Sequence, residues 1–340
     1  MSSPLTGLSV LFLGGIGPGP FAAMMLADMG ASVTRVVRPG NPPAVVPHSI
    51  LYRGQEVLEA DLKDPADVDK LRERLATTDI LIEGFRPGVT ERLGLGPGLG
   101  PEEVQAINPA LVYGRITGWG QSGPLAHTAG HDINYIAVSG ALHPIAASDG
   151  TPVPPVNFLG DFGGGAMYLV TGLLAGVLQA KNTGRGCVVD AAIVDGAANL
   201  TAMLHAFRAE DQWQERGTNL LDGGAPFYSV YRTADDQWMA AGAIEPQFYA
   251  LMVKGLGLEE ELGRYEQNDR DAWPAMKEII ARRFAKKTQA EWIEIFRGSD
   301  ACVTEVVSPE HVLEHPHLAA RDTYVDAEGY TEPAAAPRFL

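Results

Sequence analysis

Leu8-Ser9-Val10-Leu11-Phe12-Leu13-Gly14-Gly15-Ile16-Gly17-Pro18-Gly19-Pro20 is the stretch on which the fold reading turns. A short apolar run is stopped by a turn of glycine and proline. Residues 21–29 then carry a helical pattern closed by Gly30, and 32–37 read as a second buried strand. Strand, glycine turn, helix and strand within about thirty residues make a βαβ unit.

The alternation continues outward. Residues 57–60, 80–83 and 111–116 read as strands, and 64–76 as a helix with Pro65 suited to its first turn. The class is α/β, with a mostly parallel, Rossmann-like sheet flanked by helices. A helix at 167–181, a strand at 188–192 and a helix at 193–207 complete a large domain, 1–207. Residues 208–224 read as a linker. A smaller α+β domain, 225–314, opens with a hairpin, 227–232 and 238–242, around Ala234-Asp235-Asp236. Helices at 247–255, 273–285 and 289–297 follow. The proline- and alanine-rich segment 315–340 is expected to return to the large domain.

Composition narrows the function classes. A 340-residue chain, 46% hydrophobic and 20% charged, is an ordinary globular protein long enough for two domains. A formal charge of −16 argues against nucleic acid or an anionic membrane as the main partner. The apolar run 163–180 is borderline in length for a membrane span, and its five glycines favour a closely packed core helix. No metal spacing is visible. Cys187 and Cys302, far apart, fit a reducing, cytoplasmic setting and read as small buried hydrophobes; no targeting segment is expected.

The glycine turn invites a dinucleotide reading, but its third glycine position is Pro20. The second strand offers Arg35 and Arg38 where an acidic ribose partner is expected. Guanidinium there suits a ribose carrying a phosphate, as in NADP or coenzyme A. Lys63, Arg86 and Arg92 stand near further strand ends, with solvated surface charge as the plain alternative.

Two residues remain that suit proton chemistry. His131 sits in Gly130-His131-Asp132-Ile133-Asn134-Tyr135, where a helix starts; the other histidines, His48 among them, read as structural or surface residues. Asp161 sits in Gly160-Asp161-Phe162-Gly163-Gly164-Gly165, opening an apolar helix. The plain alternative for Asp161 is helix capping. The neighbouring glycines would let a ligand approach the backbone, whose free N–H groups could hold an oxyanion.

These segments, with Pro154-Pro155-Val156-Asn157-Phe158-Leu159 and Leu221-Asp222-Gly223-Gly224-Ala225-Pro226, resemble the α-methylacyl-CoA racemases of the family III CoA-transferase superfamily. Arg86-Pro87-Gly88 and Thr117-Gly118-Trp119-Gly120 are shared more widely in that superfamily. The likeness covers nearly the whole chain. It implies an isomerase of fatty acid and lipid metabolism that interconverts the C2 epimers of a 2-methylacyl-CoA. His131 and Asp161 are then the two acid/base groups, and Glu245, in Gly242-Ala243-Ile244-Glu245-Pro246, pairs with the histidine. The plain alternative for Glu245 is a helix N-terminal carboxylate before Pro246. CoA contacts fall on Arg38, Ala60, Asp61, Leu62, Lys63, Gly84, Phe85, Arg86, Arg92, Gly130, Asp132 and Tyr135, and further substrate contacts on Ile16 and Asn157. No separate cofactor is expected, because CoA arrives within the thioester. The resemblance also implies an interlocked homodimer with active sites shared between the large domain of one chain and the small domain of the other.

Four features depart from the pattern: Phe12 where an acid is common, Phe21 after the turn, the glycine-rich stretch 94–100 and a short C-terminal tail. Two rival readings stand beside the racemase. One is a CoA transferase with Asp161 as nucleophile, forming a mixed anhydride. It lacks support from the loop at Asp222-Gly223-Gly224, which does not reproduce the longer glycine loop of transferases. The other is a CoA-binding protein without activity, whose mark would be loss of His131, Asp161 or Glu245; all three are present.

Overall fold

Six parallel strands, in the order β3-β2-β1-β4-β5-β6, form the main sheet of a computed structural model that describes residues 3–40, 49–93, 98–147, 149–327 and 329–339. His48 and positions 94–97 of the glycine-rich stretch lie outside the described residues. The strands are β1 (Ser9–Phe12), β2 (Ser32–Val37), β3 (Gln55–Glu59), β4 (Ile80–Glu83), β5 (Val112–Thr117) and β6 (Val188–Ala192). Strand order reverses at β1 and β4, so a crevice opens outside their carboxyl ends.

Alternation along the strands fills both faces of this sheet. Val10, Phe12, Ile80, Ile82 and Val112 point into one core with helices α1 (Pro18–Asp28) and, further along, Met167–Thr183. Leu11, Leu13, Leu81 and Tyr113 point into the other, against α2 (Pro65–Leu75) and α3 (Pro101–Ile107). Asp64 caps α2 by accepting the Ala66 N–H at 3.0 Å, and Pro65 occupies its first position.

After β5 come α4 (Asp132–Val138), a π-helical segment (Phe158–Ala166), α5 (Met167–Thr183), α6 (Ile193–Leu200) and α7 (Ala202–Ala209). The helix expected over 193–207 is thus two helices. The Thr201 hydroxyl takes the Ala198 carbonyl at 2.7 Å, competing with the helical ladder at the break. The π-helical segment and α5 form one 26-residue apolar helix, long enough by composition to cross a membrane. Leu169, Val170, Leu173 and Val177 of this helix nevertheless pack into the sheet's core.

The chain divides into two compact units: Met1–Leu142, Pro154–Met203 and Ala334–Leu340 form one, His143–Val153 and Leu204–Pro333 the other. In the second, β7 (Tyr228–Arg232) and β8 (Trp238–Gly242) pair as the expected antiparallel hairpin. Helices α8 (Pro246–Leu256), α9 (Glu259–Leu262), α10 (Trp273–Phe284) and α11 (Gln289–Phe296) follow, then β9 (Val303–Glu305), which joins the hairpin beside β8. Its core is aromatic: Phe227, Tyr231, Trp273, Phe284, Trp292 and Phe296. A five-residue helix, α12 (Pro316–Ala320), and a hairpin of β10 (Tyr324–Ala327) and β11 (Tyr330–Pro333) complete it. Cys187 is half-buried against the main core, but Cys302 is exposed, contrary to the buried reading; it sits in a tight bend at φ +51°.

Candidate functional site

A cavity of about 430 Å³ lies in the first unit at the crevice. Its floor is the turn after β1, Gly15-Ile16-Gly17, with Gly84 after β4 and Thr117-Gly118 at the end of β5. His131 and Tyr135 reach it from the start of α4, and Asn157, Asp161 and Phe162 from the π-helical segment. The two candidate acid/base residues, 30 positions apart, therefore share one cavity. His131 is exposed and stands at the N-cap of α4, where the Asn134 side chain accepts its backbone N–H at 3.0 Å.

Asp161 does not cap its helix, as the plain alternative had it. It lies four residues past the N-cap Asn157, on wide turns in which the Phe162 N–H reaches back five residues to the Asn157 carbonyl at 3.3 Å. Such π-helical turns are rare and concentrate at functional sites. The glycines make this winding feasible and let it pack backbone to backbone: a Cβ on Gly196 of α6 would sit 1.8 Å from the Gly164 carbonyl oxygen. Capping falls instead to Asp132, the first residue of α4. Its Oδ2 accepts the Asp161 N–H at 2.6 Å and also the Gly160 N–H. Those two N–H groups, expected to be free for an oxyanion, are already taken.

The Asp161 carboxyl is left facing the cavity. Burial, and then the charge of Asp132, push it up to about 6; the Asn157 side-chain hydrogen bond and His131 pull the other way but do not prevail. Close approach to the glycine turn is part of this arrangement. A Cβ on Gly17 would stand 2.7 Å from Asp161 Oδ2, and Gly17 itself has φ +65°. Tyr135 donates its hydroxyl hydrogen bond to the Gly130 carbonyl, tying the loop before His131 to α4.

A second cavity of about 360 Å³ adjoins in sequence on both strand ends, at Gly14 and Phe85. Arg38, Ala60, Asp61, Leu62, Lys63 and Phe85 line it, with Leu13, Val36, Val89 and Leu93 supplying apolar wall. Six of the expected CoA contacts thus converge. Arg38, exposed, pairs with the half-buried Asp61 at 3.6 Å. Arg92 packs against Gly88, and Arg86 is exposed on the same loop. Arg35, by contrast, is stacked on the Tyr52 ring, 4.0 Å from its centroid, and does not line either cavity.

A buried ion network that sequence reading missed shapes this loop. Arg115 on β5 binds Glu83 at 2.8 Å and Glu91 at 2.9 Å, while Glu83, fully buried, accepts the Phe85 N–H at 2.7 Å. The network anchors both ends of the segment from Gly84 to Arg92. Only its residue types are visible in sequence; the pairing needs β4 beside β5.

Comparison with known proteins gives the family. Residues 5–340 match the model of CoA-transferase family III. The chain is 47% identical over 339 residues to human alpha-methylacyl-CoA racemase, covering 99% of this chain and 86% of that protein. The mouse enzyme of that name is also 47% identical, over 335 residues, covering 98% and 86%. The chain belongs to CoA-transferase family III. The crystal structure of Rv3272 from Mycobacterium tuberculosis superposes with a TM-score of 0.81 at 25% identity, covering 99% of this family III chain and 93% of that one.

Two departures of this family III member now have a physical account. Phe12 is fully buried beneath the glycine turn, its ring 3.1 Å from where a Cβ on Gly19 would lie. Phe21 on α1 stacks on Phe162 at 4.2 Å, bracing the residue after Asp161. Glu245 lies in the second unit, exposed at the N-cap of α8, with no side-chain capping bond. It is not among the residues that line the His131–Asp161 cavity.

Proposed function

We propose that this protein is an α-methylacyl-CoA racemase, interconverting the (2R) and (2S) forms of a 2-methylacyl-CoA by proton transfer at C2. The observation that carries the reading is His131 and Asp161 on one cavity, with Asp161 poised at about 6. A carboxyl poised there can hold or release a proton near neutrality, as a two-base reaction requires. The named relatives at 47% identity support the same substrate class.

Neutral His131 takes the C2 proton of one epimer, and the C–H electron pair becomes the enolate. Protonated Asp161 delivers its proton to the opposite face, forming the new C–H bond. The enzyme is left with imidazolium and carboxylate, ready for the other epimer. The nucleotide end of CoA occupies the second cavity, with Arg38, Lys63, Arg86 and Arg92 toward its phosphates. The pantetheine arm crosses by the Gly14-Gly15 and Gly84-Phe85 steps, since each pair contributes to both cavities. We further place the reaction in a homodimer, in which Glu245 of a second copy orients His131 and stabilises its protonated form.

The test is to incubate one epimer of a 2-methylacyl-CoA in deuterated water and follow C2. Deuterium incorporation with loss of optical purity is expected. Transfer of CoA to a free carboxylate without exchange would overturn the reading in favour of a transferase with Asp161 as nucleophile.

A further inference from the structure

Asp132 stands out among the residues of the first unit. Its side chain is 6% exposed, one oxygen collects the N–H groups of Gly160 and Asp161, and the other is buried with no hydrogen-bond partner among the described residues. No cation pairs with it in the described structure, and an unpaired buried carboxylate is costly to keep. Were it only a cap, a serine or asparagine would serve at lower cost. Its place directly behind the Asp161 backbone is the clue to what the charge does.

We propose that Asp132 is a positioning residue for Asp161, fixing through its backbone hydrogen bonds where the Asp161 carboxyl stands and setting a second carboxylate behind it. The inference rests on the racemase reading and deepens it. The hydrogen bonds lock the start of the π-helical segment to α4, so that His131, the residue before Asp132, and Asp161 keep one spacing. The charge disfavours a second negative charge at Asp161, which therefore holds its proton more firmly. The other groups facing Asp161 are His131 and Tyr135 of α4 and Asn157 of its own segment, with Arg86 acting on Tyr135. Burial pushes the Asp132 carboxyl itself up, so it bears on Asp161 as a neighbouring negative charge while it is ionised, and burial likewise raises the Tyr135 hydroxyl further from ionisation.

The experiment compares Asp132→Ala and Asp132→Asn. Alanine removes acceptor and charge; asparagine keeps an acceptor and removes only the charge. Asp132→Ala is expected to lose about 10- to 100-fold in kcat with little change in KM, the scale of a displaced reacting group. Asp132→Asn is expected to recover most of that kcat, but, with the epimer that Asp161 deprotonates as substrate, the acid limb of the kcat/KM profile moves down by roughly one pH unit. Wild-type kcat in Asp132→Ala, or an unmoved acid limb for that epimer in Asp132→Asn, overturns the proposal. Carboxyl carbon-13 titration, with the Asp161 signal assigned by difference against Asp161→Asn, reads the same shift without turnover. Its midpoint should fall in Asp132→Asn. A fall there combined with no C2 exchange by the unaltered protein would sink the racemase reading alone, whereas exchange with a fixed midpoint would sink this inference alone.

Discussion

The two cavities at the carboxyl edge of the sheet are built from neighbouring residues yet treat charge in opposite ways. Around Asp161 two carboxyls sit together, Asp161 half-buried and Asp132 buried, with the exposed His131 beside them. Around Arg38 and Lys63 the cations are exposed and the signs mixed, as in the Arg38–Asp61 pair. Desolvation makes protonation negotiable, which suits proton transfer. Hydration leaves cations permanently charged, which suits holding phosphate. The two cavities thus differ in the burial of their ionisable groups, carboxyls half-buried or buried in one and cations exposed in the other.

If that division is right, changes in the two halves should fail in different ways. The largest effect is expected at the His131–Asp161 cavity. His131→Ala and Asp161→Ala should each lower C2 exchange about 100- to 10,000-fold while leaving CoA binding by calorimetry nearly unchanged. Normal racemisation by either variant would remove the two-base assignment. Next comes Gly17→Ala, whose new methyl would meet the Asp161 carboxyl and force it aside. We expect up to about 100-fold loss in kcat, with intact folding by circular dichroism. At the second cavity, Arg38→Ala and Lys63→Ala should raise the KM for acyl-CoA about tenfold each and leave kcat alone. A fall in kcat there would blur the boundary between the cavities.

The smallest effect concerns stability. Asp161 has its folded-state value raised to about 6, above the unfolded value near 4. The folded state therefore binds its proton more tightly. The stability this contributes is complete below the unfolded value and is lost as pH rises through about 6. Asp161→Asn removes that loss. After allowance for partial exposure, it should stabilise the inactive protein on the order of 1 kcal/mol at neutral pH, and the gain should vanish in mild acid. Thermal melts of both proteins across that range check the sign.

Legibility in the sequence followed locality. The strands at 80–83 and 188–192 were read at their true bounds, and the first hairpin to within a residue, because each is a short apolar or alternating run with turns at both ends. Strand β9 was missed: three residues are too few to show a period, and it is a strand only by pairing with β8. The break at Thr201 was missed because one threonine inside a helical pattern is common. At the site, six of the positions that the resemblance names, Arg38, Ala60, Asp61, Leu62, Lys63 and Phe85, line one cavity. Arg35 and the capping role of Asp161 went astray because neighbours elsewhere in the chain, Tyr52 and Asp132, settle them.

What the sequence determined by itself was the βαβ order, the glycine turn and the family-marking segments around His131 and Asp161. These are written in local periodicity and in contiguous residues, and they need no knowledge of distant contacts. Only the tertiary structure decided which carboxylate caps and which faces the cavity, that the helix under Asp161 winds wide, and that Glu83 and Arg115 brace the loop from Gly84 to Arg92. Each depends on residues tens of positions apart meeting in a place that excludes water. A carboxylate's work is set by that exclusion and by the charge beside it, and neither is a property of the residue's own segment.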